Sequence, residues 1–453
     1  MHRSLFRYVI LMSCILIILS SLLIGCSRTQ VEEKRDKAGN TEALSREKSI
    51  TNKKKIVFWH IQLSDSVSDV IKRRAEHFMA DYPDVEVEIV PYLNEPYKIK
   101  LVVAMGTRNP PDIFSTWSGG PLYEYIKAGQ VADLTPMMEK DNYKDYFLDA
   151  AIDMVTFDGK IWGVPVENSA IAVIFYNKKI FQENDISPPK TYNELLETVK
   201  KLRSKGIIPF ALANRTKWPG SMYYMYLVDR IGGPDVFKNA AARSGGTFED
   251  EAFIKAGQKI QELVKLGAFS DGFNGLDYDT GQSRSLMYSG KAAMELIGTW
   301  NIATIKDENK EFYENNLDFF PFPEVEGGKG EPNNAIGTLG DGFYSISRTC
   351  KYPEEAFRFI QYLIDEEAVK ERTVRGRISP VKNFKTDDPV LQRVLKLIST
   401  APSIQLWYDQ YLPPELGEKH KDTCQALFDG SMTPEQAAKV MEDAAKNFYK
   451  TKN

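Results

Sequence analysis

Between Lys55 and Phe114 the hydrophobic pattern changes period four times, and this constrains the fold more than any other feature. Lys55–His60 (KIVFWH) is a lysine step into a short apolar run. Over Asp65–Asp81 the apolar residues Val67, Val70, Ile71, Ala75, Phe78 and Met79 fall at helical spacing. Val85–Val90 (VEVEIV) alternates with period two, Tyr97–Met105 is helical again, and Pro111–Phe114 opens a third strand. Strand–helix–strand–helix–strand predicts an α/β fold with a parallel sheet and crossover helices. Ligands of such sheets bind outside the carboxyl ends of the strands. Trp59 and His60 stand at the first such end, and Trp117 just past the third. Later, an apolar strand from Ala170 closes on Tyr176–Asn177, and helices are predicted over 192–205, 221–231, 251–266, 282–289, 353–363 and 434–447. A chain of 453 residues has material for two or three domains.

The N-terminus carries its own signal. Arg3 and Arg7 precede an apolar run from Tyr8 to Gly25, which ends in Leu23-Ile24-Gly25-Cys26. A basic region and an apolar core read as an export signal. The ending resembles the lipobox of bacterial lipoproteins, which implies removal of residues 1–25 and lipid on Cys26. An uncleaved single-span anchor is the alternative, since the run is long enough to cross a bilayer. Residues 26–54 are polar and lack aromatics, so they read as a tether. Both readings place the protein outside the cytoplasm, at a membrane.

Composition excludes several classes. The formal charge is −4, and −6 without residues 1–25, which argues against nucleic acid as a partner. A mean hydropathy of −0.36 excludes a polytopic membrane protein. Without the leader only His60, His77 and His420 remain as histidines, and without Cys26 only Cys350 and Cys424 as cysteines. His/Cys metal sites and a disulfide framework are therefore not expected. No nucleophile elbow, phosphate loop or dinucleotide fingerprint occurs, so neither catalytic residues nor a cofactor are assigned. Asp271, Asp277 and Asp279 crowd together, but their spacing is not that of a calcium loop.

Six ordered segments bring a family into view: PDIF at 111–114, GQVADL at 129–134, DGKIWGVP at 158–165, IFYNK at 174–178, GKAAM with GTW at 290–300, and PEEAFRFI at 353–360. Together they resemble the family 1 extracellular solute-binding proteins of ABC importers, the maltose-binding-protein-like group, from Lys55 to the C-terminus. One departure is an extra residue around Glu167. The resemblance implies two α/β lobes of the type II periplasmic-binding-protein fold, joined by three crossings with the ligand between them. One lobe is expected at 55–168 plus 343–386, the other at 172–338 plus 392–453. The crossings are expected near 168–172, 338–342 and 387–392, the second rich in glycine. The implied partners are a carbohydrate and integral-membrane permease subunits, with the protein a monomer.

A sugar site needs aromatic rings for the flat C–H faces, with carboxylates, amides and Arg for the hydroxyl rims. Trp218, Trp300 and Trp407 sit among polar or small neighbours and match cleft positions of sugar-binding members. Trp59, His60 and Trp117 join them from the strand ends. The polar candidates are Glu167, Asn168, Asp341 (between Gly340 and Gly342), Arg377 in the turn GRISP, and Asp409. Trp162 is expected to pack under the hinge and Asp112 to cap its own loop. The stretch Leu406–Leu416 most resembles binders of raffinose-type oligosaccharides. A surface-anchored carbohydrate-active hydrolase, with a carboxylate pair assembled from distant residues, is the alternative.

Overall fold

The computed structural model describes residues 53–107 and 109–452. The leader, Cys26 and nearly all of the expected tether lie outside the described residues. The alternation at the start of the described chain builds a three-stranded parallel layer. Strand β1 (Lys54–His60) pairs in parallel with β2 (Val85–Pro91) on one side and β3 (Ile113–Thr116) on the other. Helices α1 (Asp65–Asp81) and α2 (Asn94–Gly106) make the crossovers, and α3 (Gly120–Lys127) follows β3. Period two puts Ile56, Phe58 and His60 on the buried side of β1. The Phe58 ring meets Tyr344 edge-on at 4.8 Å and Phe359 at 5.7 Å. Full burial of such a side chain contributes about 1.5–3 kcal/mol.

Two long strands carry the chain from this layer into a second one. Strand β4 (Val164–Asn177) is buried along almost its whole length. Beyond it come β5 (Ile208–Phe210), α4 (Trp218–Gly232), β6 (Ala292–Gly298), α5 (Asn301–Glu308) and β7 (Leu317–Phe320). The C-terminal half of β4 pairs antiparallel with β6 and β7, and β5 runs parallel to β6. Strand β8 (Ala335–Ile346) returns antiparallel to β4, and its end pairs with β3. Helices α6 (Pro353–Leu363) and α7 (Glu366–Val374) then cover the first layer, and the one-turn helix α8 (Tyr408–Tyr411) belongs to the second.

Buried apolar residues fall into two clusters, one around each layer, which gives the two lobes. Along β4 the cluster changes between Val166 and Ile171, and along β8 between Ile336 and Phe343. A third passage follows α7, where Phe384 packs against both clusters and Asp388 already bonds Lys306 and Tyr313 of the second lobe. Asn168 and Asp341 face each other across β4 and β8, with register shifts on both sides of Asp341. Gly342 has φ +104°, and a Cβ there would lie 2.7 Å from the Glu167 side chain, so this kink admits only glycine. Cys350 and Cys424 are both free thiols. No helix among the described residues is long and apolar enough to cross a membrane.

Candidate functional site

A cleft of about 470 Å³ opens between the lobes, at the carboxyl ends of β1 and β3 where the sheet rule places it. The loop after β1 (Ile61 to Ser64), the start of α2 and Trp117 form one wall. The start of α4, the segment around Tyr278, the end of β6 with α5, and Trp407 to Gln410 form the other. Asp341 and Arg377 complete the lining.

The second wall is aromatic. Trp218 meets Trp300 at 5.9 Å and 62°, and Trp300 meets Trp407 at 5.6 Å and 72°, an edge-to-face series. Tyr278 adds a fourth ring 4.7 Å from Trp218, and its hydroxyl accepts a hydrogen bond from Trp300 Nε1 at 2.8 Å. Local sequence fixes these rings. Trp218 and Pro219 begin α4, and Trp300 follows β6 with its ring laid where a Cβ on Gly298 would have to go. Trp407 is only 3% exposed and is held by the core behind it. The Trp218 Nε1 has no hydrogen-bond partner among the described residues. On the opposite wall Trp117 lies 5.3 Å below Lys98 Nζ and packs edge-on against Tyr97.

Polar groups stand between the walls. Burial pushes the Asp341 carboxyl up to about 6, against the pull of the Arg377 guanidinium. Arg377 donates from Nη2 to Gln62 Oε1 at 3.2 Å, and its Nε has no partner among the described residues. Asp279 is held above the usual carboxylate range by burial and by Asp277 beside it. Arg284 forks onto Glu308 at 2.9 and 2.8 Å. Ser66, at the start of α1, donates its hydroxyl across the cleft to Asp307 Oδ2 on α5 at 2.6 Å. Rings for apolar faces beside unfilled acceptors and donors are what a polyhydroxylated ligand requires.

The sequence profile of the bacterial extracellular solute-binding proteins matches residues 62–370. This chain belongs to that family. A solved structure from a study of xylan utilization by the thermophilic bacterium Caldanaerobius polysaccharolyticus is similar with a TM-score of 0.81 at 30% identity, over 86% of this chain and 99% of that one. A chitin oligosaccharide binding protein also reaches 0.81, at 23% identity over 87% and 99% of the two chains. The multiple sugar-binding protein of Streptococcus mutans is 24% identical over 355 residues, 76% of this chain and 80% of that one. The last two are binding proteins by name, and the chain is a solute-binding protein rather than an enzyme.

Of the eleven residues proposed from sequence, the cleft gathers Trp117, Trp218, Trp300, Asp341, Arg377, Trp407 and Asp409. The other four lie outside the cleft lining. Trp59 turns to the other face of β1 and packs edge-on against Tyr92 at 5.0 Å. His60 is buried, stacks on Phe58, and accepts from the Gln62 backbone N–H at 3.1 Å; burial lowers its pKa to about 4. Glu167 is fully buried, accepts a hydrogen bond from the Tyr344 hydroxyl, and pairs with Arg372 at 3.4 Å. Asn168 accepts from the Ile378 N–H at 2.7 Å, which ties the first crossing to the third. Two structural expectations also resolve. Trp162 donates to the Phe157 carbonyl at 3.1 Å and packs on the first core. Asp112 accepts from Val57 N–H of β1 at 2.9 Å instead of capping its own loop. Sequence reasoning missed Gln62, Lys98, Tyr278, Asp279 and Arg284 at the cleft. Asp279 was visible only as part of an acidic run, and its neighbour Tyr278 was the signal that an aromatic–carboxylate pair was present.

Proposed function

We propose that this chain is the substrate-binding component of an ABC importer, which captures a short oligosaccharide between its lobes and delivers it to the membrane permease. One observation carries the reading: a continuous wall of Trp218, Trp300, Trp407 and Tyr278 facing unfilled polar groups across a hinged cleft. The cleft volume lies within the range of about 300–1,000 Å³ usual for small-molecule sites. Xylan fragments are the first candidates, because the solved relative at 30% identity comes from xylan utilization. Raffinose-type sugars are the second, from the stretch Leu406–Leu416. The lobes are taken as 55–168 plus 343–386 and 172–338 plus 392–453, acting as a monomer. Thermal unfolding over a panel of xylo-oligosaccharides, raffinose, stachyose and maltotriose tests the reading. At a hundredfold excess over Kd a ligand adds about 2.7 kcal/mol, a clear rise in Tm. No shift with any sugar, or release of shorter sugars on incubation, contradicts it. We further propose that Cys26 carries lipid and is the mature N-terminus. Cys26→Ala should then free or mis-process the protein; full membrane retention at unchanged size refutes this.

A further inference from the structure

The charges that line the cleft are unequal in number and in commitment. Five carboxylates meet three cations. Each cation already has a partner. Lys98 donates to Glu95 at 2.8 Å, Arg284 is forked on Glu308, and Arg377 bonds Gln62 and acts on Asp341. Among the carboxylates, Glu308 holds Arg284 and Asp307 accepts from Ser66. Asp279, Asp341 and Asp409 line the cleft from three separate segments and share few cations: Lys98 acts on both Asp279 and Asp341, Arg284 on Asp279, Arg377 on Asp341, and Lys421 on Asp409. Asp409 raises the pKa of Asp341, so the two fields overlap in the same space.

We propose that the cleft selects by charge, admitting neutral and amine-bearing sugars and turning away acidic ones, with Asp279, Asp341 and Asp409 as the residues that set this preference. The inference rests on the sugar reading above and deepens it. A ligand hydroxyl donates to a free carboxylate and an ammonium group pairs with it. A uronate brings a like charge into a partly desolvated space lined by five carboxylates and three cations, of which Lys98 and Arg284 are already bonded to Glu95 and Glu308. At an effective dielectric of about 20, one unopposed like charge several ångströms away weakens binding by about tenfold or more.

Titration calorimetry at pH 7 and low salt decides it with matched probes: xylotriose, raffinose and maltotriose as neutral sugars, glucuronosyl-xylotriose and trigalacturonate as acids, and the glucosamine trimer as an amine. The expected result is binding of at least one neutral or amine-bearing probe, with each acidic probe about tenfold weaker or absent. In the combined variant Asp279→Asn, Asp341→Asn, Asp409→Asn, the gap between xylotriose and glucuronosyl-xylotriose should close to within about threefold. Each single variant covers the case in which the combined one does not fold. An acidic probe that binds wild type as tightly as its neutral counterpart overturns the inference while leaving the sugar reading intact. A gap that is unchanged in every variant removes these three residues from the role. Silence from all probes overturns the sugar reading and this inference with it.

Discussion

Replacing Glu167 with Ala separates a hinge residue from a ligand contact. Glu167 and Arg372 are both fully buried, and their pairing joins β4 to α7 behind the cleft. Arg372 has one further acceptor, the Leu363 carbonyl, and Tyr344 donates its hydroxyl to the same Glu167 oxygen that faces Arg372. Truncation leaves a buried guanidinium without its counter-charge and a buried hydroxyl without an acceptor. Removing one partner of a buried pair costs about 3–5 kcal/mol, a fifth or more of a typical total stability of about 5–15 kcal/mol. Glu167→Gln keeps an acceptor for Tyr344 and should lose about half as much. Urea unfolding followed by tryptophan fluorescence reads the stability, and calorimetry on the folded fraction reads affinity. The expected outcome is a large drop in midpoint with Kd within about threefold of wild type. A stability change below about 1 kcal/mol together with a tenfold loss of affinity would refute the hinge assignment.

Two further outcomes follow from the same structure. Trp300→Ala and Trp407→Ala should each weaken sugar binding by about 2–4 kcal/mol, roughly thirty- to several-hundred-fold by calorimetry; Trp407→Ala should also lower the unfolding midpoint, because that ring is core as well as lining. His60 and His420 are held neutral by burial, with pKa values lowered to about 4 and about 3. Their contribution is complete above the unfolded pKa of about 6.5 and is lost as pH falls through these values, on the order of 3 kcal/mol for His60. Urea midpoints should fall from pH 6.5 to 4, less steeply in His60→Gln; an unchanged slope in that variant removes His60 from the effect.

Much of the architecture was legible because it rests on periodicity. The alternation over Lys55–Phe114 marks β1 to β3 with their crossover helices, and the Asp65–Asp81 pattern coincides with α1 residue for residue. The three cleft tryptophans of the second lobe stood out because a ring flanked by Gly298-Thr299 or by Asp409-Gln410 has polar or small company instead of an apolar stripe. Glu167 and Asn168 lie outside the cleft lining for a physical reason. A crossing point passes between two cores, so its polar side chains are close to a cleft in sequence yet spend their hydrogen bonds on Tyr344, Arg372 and the Ile378 backbone. Lys98 and Gln62 were hidden for the opposite reason. A lysine within a helix and a loop glutamine carry no pattern, and only tertiary packing shows that α2 begins at the cleft lip.

The two walls differ in chemistry, and the difference sets an order of events. Trp218, Trp300 and Trp407 all lie on the second lobe, whereas the first contributes Trp117, Gln62 and Lys98. Stacking buries apolar area on one wall alone, so a ligand can hold to the second lobe before the walls meet. Hydrogen bonds from the first lobe require closure. The exposed Ser66–Asp307 bond across the cleft contributes only about 0.5–1.5 kcal/mol, less than one aromatic contact, so a bridging ligand adds more than this bond does. Lys98, already tied to Glu95 and lying over Trp117, acts at the closing step. Lys98→Ala should therefore raise the dissociation rate several-fold and leave the association rate within about twofold. Stopped-flow tryptophan fluorescence with a bound sugar separates the two rates. A change confined to association would mean that the first lobe meets the ligand first, and the proposed order would be wrong.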